Sequence, residues 1–154
     1  MTVHGSTNHS HTDVQFSSTT DILHAKGGQS DIDSLNPDKL IHNVTITVPG
    51  HTFDDLIINP FKDVADGDLH ITVVANGVTI PTFTYGKMNG QNFLSITTAN
   101  DEDMSSVEIV SDFGFQDLKQ TRISGIAFIP EPSSMLLLGN GVLGLARMLR
   151  RKLT

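Results

Sequence analysis

The chain has 154 residues, a formal net charge of −7, no cysteine, no tryptophan and one tyrosine, Tyr85. Lack of cysteine excludes disulfide staples, thiol nucleophiles and Cys-based zinc sites, and the scarcity of aromatics argues against a sugar-stacking platform. All seventeen acidic residues lie at or before Glu131 and six of the ten basic ones precede it, leaving −11 up to Glu131 and +4 beyond; so acidic a body excludes nucleic acid and anionic membrane surfaces as its partners, because both are held by Lys and Arg.

Met1 to about His11 is polar, rich in Ser, Thr and His, and is expected to fray unless an edge strand pins it. From Val14 onward short apolar alternations are separated by turn residues. Val44, Ile46 and Val48 alternate with Asn43, Thr45 and Thr47 until Pro49-Gly50 stops the run. Phe53 to Phe61 predicts another strand, with Leu56, Ile57 and Ile58 buried. Leu69, Ile71 and Val73 alternate with His70 and Thr72, and Asn76-Gly77 is the pair that a tight type I′ hairpin turn prefers. Val78 and Ile80 share one phase and Phe83 and Tyr85 the other, so Pro81 between them predicts a bulge or an edge position. Asn89-Gly90 marks a reversal before Phe93 to Thr98. The acidic turn Asn100 to Asp103 follows, then Val107 to Val110 and Ile123 to Ile129. Eight or nine short strands at spacings of about 8–12 residues, with no amphipathic helix before the tail, predict an antiparallel β-sandwich or jelly-roll-like domain over residues 1–129.

Residues able to carry chemistry are present but do not assemble. His9 and His11 would share one face of a strand as two metal ligands, with no third ligand to name; His24, His42, His51 and His70 are scattered. Asp63, Asp66 and Asp68 flank Gly67, yet an EF-hand register would put Val64 at the third loop position and Val73 at the twelfth, so that motif fails. Those aspartates, or Asp101, Glu102 and Asp103, read more simply as turn formers than as a calcium site. No Gly-x-Ser-x-Gly elbow, phosphate loop or His-Glu-x-x-His occurs. The sequence therefore predicts no catalytic residue, no metal and no cofactor.

The tail, residues 130–154, has three parts. Pro130-Glu131-Pro132 forms a rigid turn, because each proline fixes its own φ and holds the residue before it extended. An apolar run from Met135 to Ala146 follows, and a basic cluster of Arg147, Arg150, Arg151 and Lys152 closes the chain. As a helix, Ser133 to Ala146 would reach about 21 Å against a hydrocarbon core of about 30 Å. Asn140, Gly139, Gly141 and Gly144 weaken it further as a span. A marginal span suits a transient stop better than a permanent anchor; a plain anchor, or an amphipathic tail packed on the domain, are the alternatives.

These three parts, in this order, resemble the PEP-CTERM sorting signal of exported bacterial proteins. The resemblance covers about the last sixth of the chain. It implies export across the inner membrane, brief retention there through the tail helix, processing near Pro130-Glu131-Pro132 by the membrane enzyme exosortase, and delivery to the cell surface or the extracellular matrix. Exopolysaccharide or other glycans become expected partners. Gly114 to Gly125 resembles, more faintly, the closing strand of sandwich domains found before such tails, and the last strand is expected to run straight into Pro130. Met1 to Asn8 has neither the basic start nor the apolar core of a secretory signal peptide, so the export reading expects a start upstream of Met1. The function expected is an exported, non-catalytic surface or matrix protein; the alternative is a secreted carbohydrate-binding module assisted by calcium.

Overall fold

Alternating β-branched and polar residues, cut by Asn-Gly and Pro-Gly turns, favour strands whose backbone groups are satisfied by their neighbours. In a computed structural model of the protein, which describes residues 1–27, 30–63, 67–99 and 102–129, the regular elements are all strands and their pairings are all antiparallel. In chain order they begin with β1 (Thr2–Ser6), β2 (Asp13–Ser17), β3 (Leu23–Lys26), β4 (Asp31–Ser34) and β5 (Ile41–Thr47). Next come β6 (His51–Thr52), β7 (Asp55–Lys62), β8 (Leu69–Ala75), β9 (Val78–Thr79) and β10 (Phe83–Tyr85). The last are β11 (Gly90–Gln91), β12 (Leu94–Thr97), β13 (Met104–Phe115), β14 (Asp117–Ser124) and β15 (Ala127–Phe128).

One sheet runs β1-β2-β5-β13-β8-β10, with β9 also on β8; the other runs β11-β7-β14-β4-β3, with β12 also on β7. A small ribbon pairs β15 with β6. Residues of period two point from both sheets into one shared apolar core. Val44 and Ile46 of β5, Ile71 and Val73 of β8, and Val107 and Ile109 of β13 meet Leu56 and Ile58 of β7, Leu118 of β14 and Ile32 of β4. Burying each such side chain contributes about 1.5–3 kcal/mol, so the core, rather than any surface pair, holds the sheets together.

The expected alternation holds in β8 and, from Val44 onward, in β5, where Asn43 of the polar phase is nevertheless buried; Asn76 and Gly77 both adopt positive φ (50° and 75°), as a type I′ turn requires. Pro81 falls where the edge slips: Thr79 lies opposite Val74 and Phe83 opposite Ile71, four steps against three. The polar start is pinned, since β1 pairs with β2 from Thr2 opposite Ser17 to Ser6 opposite Asp13. Other expectations need correction. The strand placed at Phe53 to Phe61 starts at Asp55, and Ile57 is only half-buried while polar Asn59 is fully buried. Val107 to Val110 is the middle of a twelve-residue strand. Ile123 to Ile129 divides, because Gly125 turns the chain at φ +66° between β14 and β15. The fifteen strands of the described residues exceed the eight or nine expected, and four of them, β6, β9, β11 and β15, are two-residue pieces. The tail helix, like Asp66, Asn100 and Asp101, lies outside the described residues. No helix of the described residues is long and apolar enough to cross a membrane.

Candidate functional site

The body hands over to the tail at a small, well-defined junction. After Gly125, β15 lies against β6 with Ala127 opposite Thr52 and Phe128 opposite His51. The Ile129 N–H then donates to the Gly50 carbonyl at 3.1 Å. Gly50, at φ +72°, closes the Pro49-Gly50 turn, and the His51 ring nitrogen Nδ1 donates to the Pro49 carbonyl at 2.8 Å. That bond holds the imidazole beneath the Phe128 ring, with centroids 4.3 Å apart and planes tilted by 40°. Phe128 is nevertheless 81% exposed. Pro130, Glu131, Pro132, Arg147, Arg150, Arg151 and Lys152 lie outside the described residues.

Four of the histidines pair with nearby aspartates instead of converging. His4 meets Asp13 at 3.0 Å, His24 meets Asp33 at 2.9 Å, and His42 lies 3.3 Å from Asp21 and 3.6 Å from Asp38. His9 is in the turn between β1 and β2, and His11 has φ 52°, so the two do not share a strand face as expected. Among the described residues no group of three or more His, Cys, Asp or Glu could hold a metal ion. Asp63 accepts from the Gln116 amide at 2.7 Å, Asp68 from the Lys87 N–H at 3.2 Å, and Asp103 from the Thr52 hydroxyl at 3.1 Å. Each of these carboxylates thus stabilises its own turn or neighbour.

One constellation has the connectivity of a hydrolytic triad. His70 contacts Asp112 through Nε2 at 3.2 Å and Thr84 through Nδ1 at 3.2 Å. It lies across β8, β10 and the end of β13 on a solvated sheet surface, with half of the Asp112 side chain exposed. A nucleophile needs a walled position for the reacting carbon and donors for the developing oxyanion. The three residues sit on adjacent strands, so the chain of bonds ties β10, β8 and β13 together across the sheet.

Sequence reading missed the buried polar groups. Asp21, 4% exposed, accepts the N–H groups of His42 and Asn43, each at 2.8 Å, and the Asn36 amide at 2.7 Å. Burial pushes its carboxyl up, but the backbone donors of Asn43 and His42, with Thr20 and the His42 ring, hold it below the ordinary range. Asp117 is likewise raised by burial and more strongly lowered by Lys26 and Lys119. Lys26 is raised chiefly by its hydrogen bond to Asp117, against the opposing effect of burial.

A groove of about 1010 Å³ opens between the β1–β2 hairpin and the second half of β14. Val3, Phe16 and Ile123 form part of its apolar lining, and His4, Asp31 and Arg122 part of its polar lining. A bulge shapes it: Lys119 lies opposite Asn59 and Arg122 opposite Ile57, three steps against two, with Gln120 at φ 53°. Two buried atoms of groove residues, Asp31 Oδ1 and Thr121 Oγ1, have no protein hydrogen-bond partner. No sequence signal marked either.

Together these features describe a small antiparallel β body joined, without a spacer, to a proline-led tail. Residues 128–152 match the family model of the PEP-CTERM protein-sorting motif. The chain therefore carries a PEP-CTERM sorting motif, which implies an exported protein sorted to the cell surface by exosortase. No curated protein matches the chain.

Proposed function

We propose that the β body is a non-catalytic surface or extracellular-matrix protein, held briefly at the inner membrane by an apolar tail helix and released when exosortase processes the tail near Pro130-Glu131-Pro132. The observation that carries this reading is the direct passage of the body into the sorting motif: β15 contains Phe128, the first residue of the matched segment. The His–Asp pairs, dispersed over sheet faces and turns, support a non-catalytic role. Changing Glu131 to Ala tests the sorting step. The variant should accumulate as uncleaved precursor in the membrane fraction; processing at the normal rate would remove Pro130-Glu131-Pro132 as the recognition element.

A second reading, a carbohydrate-binding module, is favoured by the groove beside β14. Asp31 and Thr121 line it, and Asp31 Oδ1 and Thr121 Oγ1, buried without a protein partner, would become an acceptor and a hydroxyl for a polyhydroxylated chain once the groove opens around it. Binding there would rest on hydrogen bonds, since Phe16, the phenyl ring among the lining residues, is buried. A glycan array read with and without chelator tests this, with Asp31→Asn and Thr121→Val as the paired variants. Retained glycan signal in both variants would remove the groove as the site, and loss of signal with chelator would bring in calcium.

A further inference from the structure

We propose that β15 is a detachable clip that sets the rate of processing, and that His51, outside the sorting motif, is the residue that fastens it. The proposal rests on the sorting reading above.

An enzyme that cuts near Pro130 to Pro132 must hold its substrate extended on both sides of the reacting bond, in the manner of peptides bound along a cleft. In the folded body the upstream side is already engaged. Ile129 donates to Gly50, Phe128 lies on His51, and Ala127 pairs with Thr52. No residue separates the last backbone bond of the body from Pro130, and proline itself has no N–H to offer. While the clip is closed, a cleft could take nothing upstream of Pro130 without colliding with the Pro49-Gly50 turn.

The two halves of this ribbon differ in how firmly they are held. On the β6 side the next residue is Phe53, fully buried, which exchanges two backbone bonds of 2.9 Å with Met104. That side stays with the core. On the β15 side both strand residues are exposed, and the ladder spans only two pairs. Such a short, exposed ladder sits at the low end of the local opening scale. Peeling would stop at Ser124, whose carbonyl accepts the Asp54 N–H at 3.1 Å and which pairs with Asp55. Opening therefore frees Gly125 to Ile129, five residues, or about 16 Å of extended chain; it withdraws the half-buried Ile126 from the margin of the core and leaves the fully buried side chains in place. His51 is suited to the fastening role because its own bond to Pro49 fixes the ring face that Phe128 covers.

The test is a pulse-chase of the full-length precursor in cells that contain exosortase. Wild-type protein and Glu131→Ala come first: conversion of one and not the other establishes the sorting step independently of the clip. His51→Ala, which leaves residues 128–152 untouched, should then convert several-fold faster, up to about tenfold. A Gly-Ser-Gly-Ser insertion between Ile129 and Pro130 should accelerate conversion similarly, and His51→Ala should add little on top of it. The opposite device is available because the chain has no cysteine. Thr52→Cys with Ala127→Cys places thiols on directly opposed residues, within disulfide reach. The oxidised form should resist processing until reductant is added, which also shows that the locked protein is folded. Processing of the locked form at the wild-type rate, or unchanged rates for both His51→Ala and the insertion, would overturn the proposal.

Discussion

Lys62 of β7 reaches from one sheet to the other and donates through Nζ to the carbonyl of Gly114 in β13 at 2.6 Å. A second bond, of 3.1 Å, goes to the Phe113 carbonyl. The lysine is 7% exposed, and its acceptors belong to an irregularity in β13, where the pairing with β5 jumps from Val110 opposite Asn43 to Phe115 opposite Ile41. Carbonyls displaced from a ladder need a donor, and here an ammonium supplies it. Lys62→Met keeps the apolar stem and removes the donor, so it should lower stability by about 2–3 kcal/mol, read as a lower urea midpoint with an unchanged slope. An unshifted midpoint would mean the bulge carbonyls are satisfied without it.

Gly114 makes the same point from the backbone. Its φ is +69°, and an added Cβ would come within 2.7 Å of the Leu40 Cβ. Gly114→Ala combines a left-handed backbone with a clash against a neighbouring side chain, and is expected to cost about 2 kcal/mol or more in thermal or urea unfolding.

Asp21 is a second buried polar hub, on the backbone of β5. Its carboxylate gathers the N–H groups of His42 and Asn43, the Asn36 amide and the hydroxyls of Ser18 and Thr20. Asp21→Ala leaves buried donors without an acceptor and should destabilise by about 3 kcal/mol. Asp21→Asn, which keeps one acceptor, should lose less. Calorimetric melting of the three proteins orders them.

Acid should unfold the body through the same groups. Asp13, Asp21 and Asp117 all titrate below the ordinary carboxylate value of 3.8. For Asp13 the main cause is the His4 hydrogen bond. A depressed carboxyl contributes stability that is complete above its unfolded value and is lost as pH falls through its folded one. Stability should therefore be level from neutral pH down to about 4 and decline below it, with a shallower decline in Asp21→Asn. Lys26, shifted upward, works in the other direction: its contribution is complete below 10.5 and disappears as pH rises beyond. Urea midpoints measured across pH give both limbs.

Period-two runs and turn pairs made β8, β5 from Val44 onward and the Asn76-Gly77 hairpin legible, because the inward positions there are apolar and a one-residue slip would expose each of them. Pro81 announced the edge irregularity for a similarly local reason, its missing donor. The β3–β4 hairpin was not legible: Leu23, His24, Ala25 and Lys26 alternate over only four residues with a single large apolar side chain, and Leu23 alone among them is buried. Nothing in the local pattern singles out Asn59 or Lys62, yet both are buried, since what decides their placement is a partner far away in sequence, such as Gly114 for Lys62. The same holds for Asp21, whose acceptor role depends on β5. The sorting motif was legible because proline, apolar and basic segments act through local chemistry and require no fold. Its attachment through His51 was not, because a ring contact between Phe128 and a residue more than seventy positions earlier leaves no trace in local pattern.

The mass of the mature protein recovered from the cell surface bears most directly on the account. Removal of the tail predicts a form that ends near Pro130-Glu131-Pro132 and lacks Arg147, Arg150, Arg151 and Lys152, with a longer precursor confined to the membrane fraction. A surface form whose intact mass retains those four basic residues would contradict it.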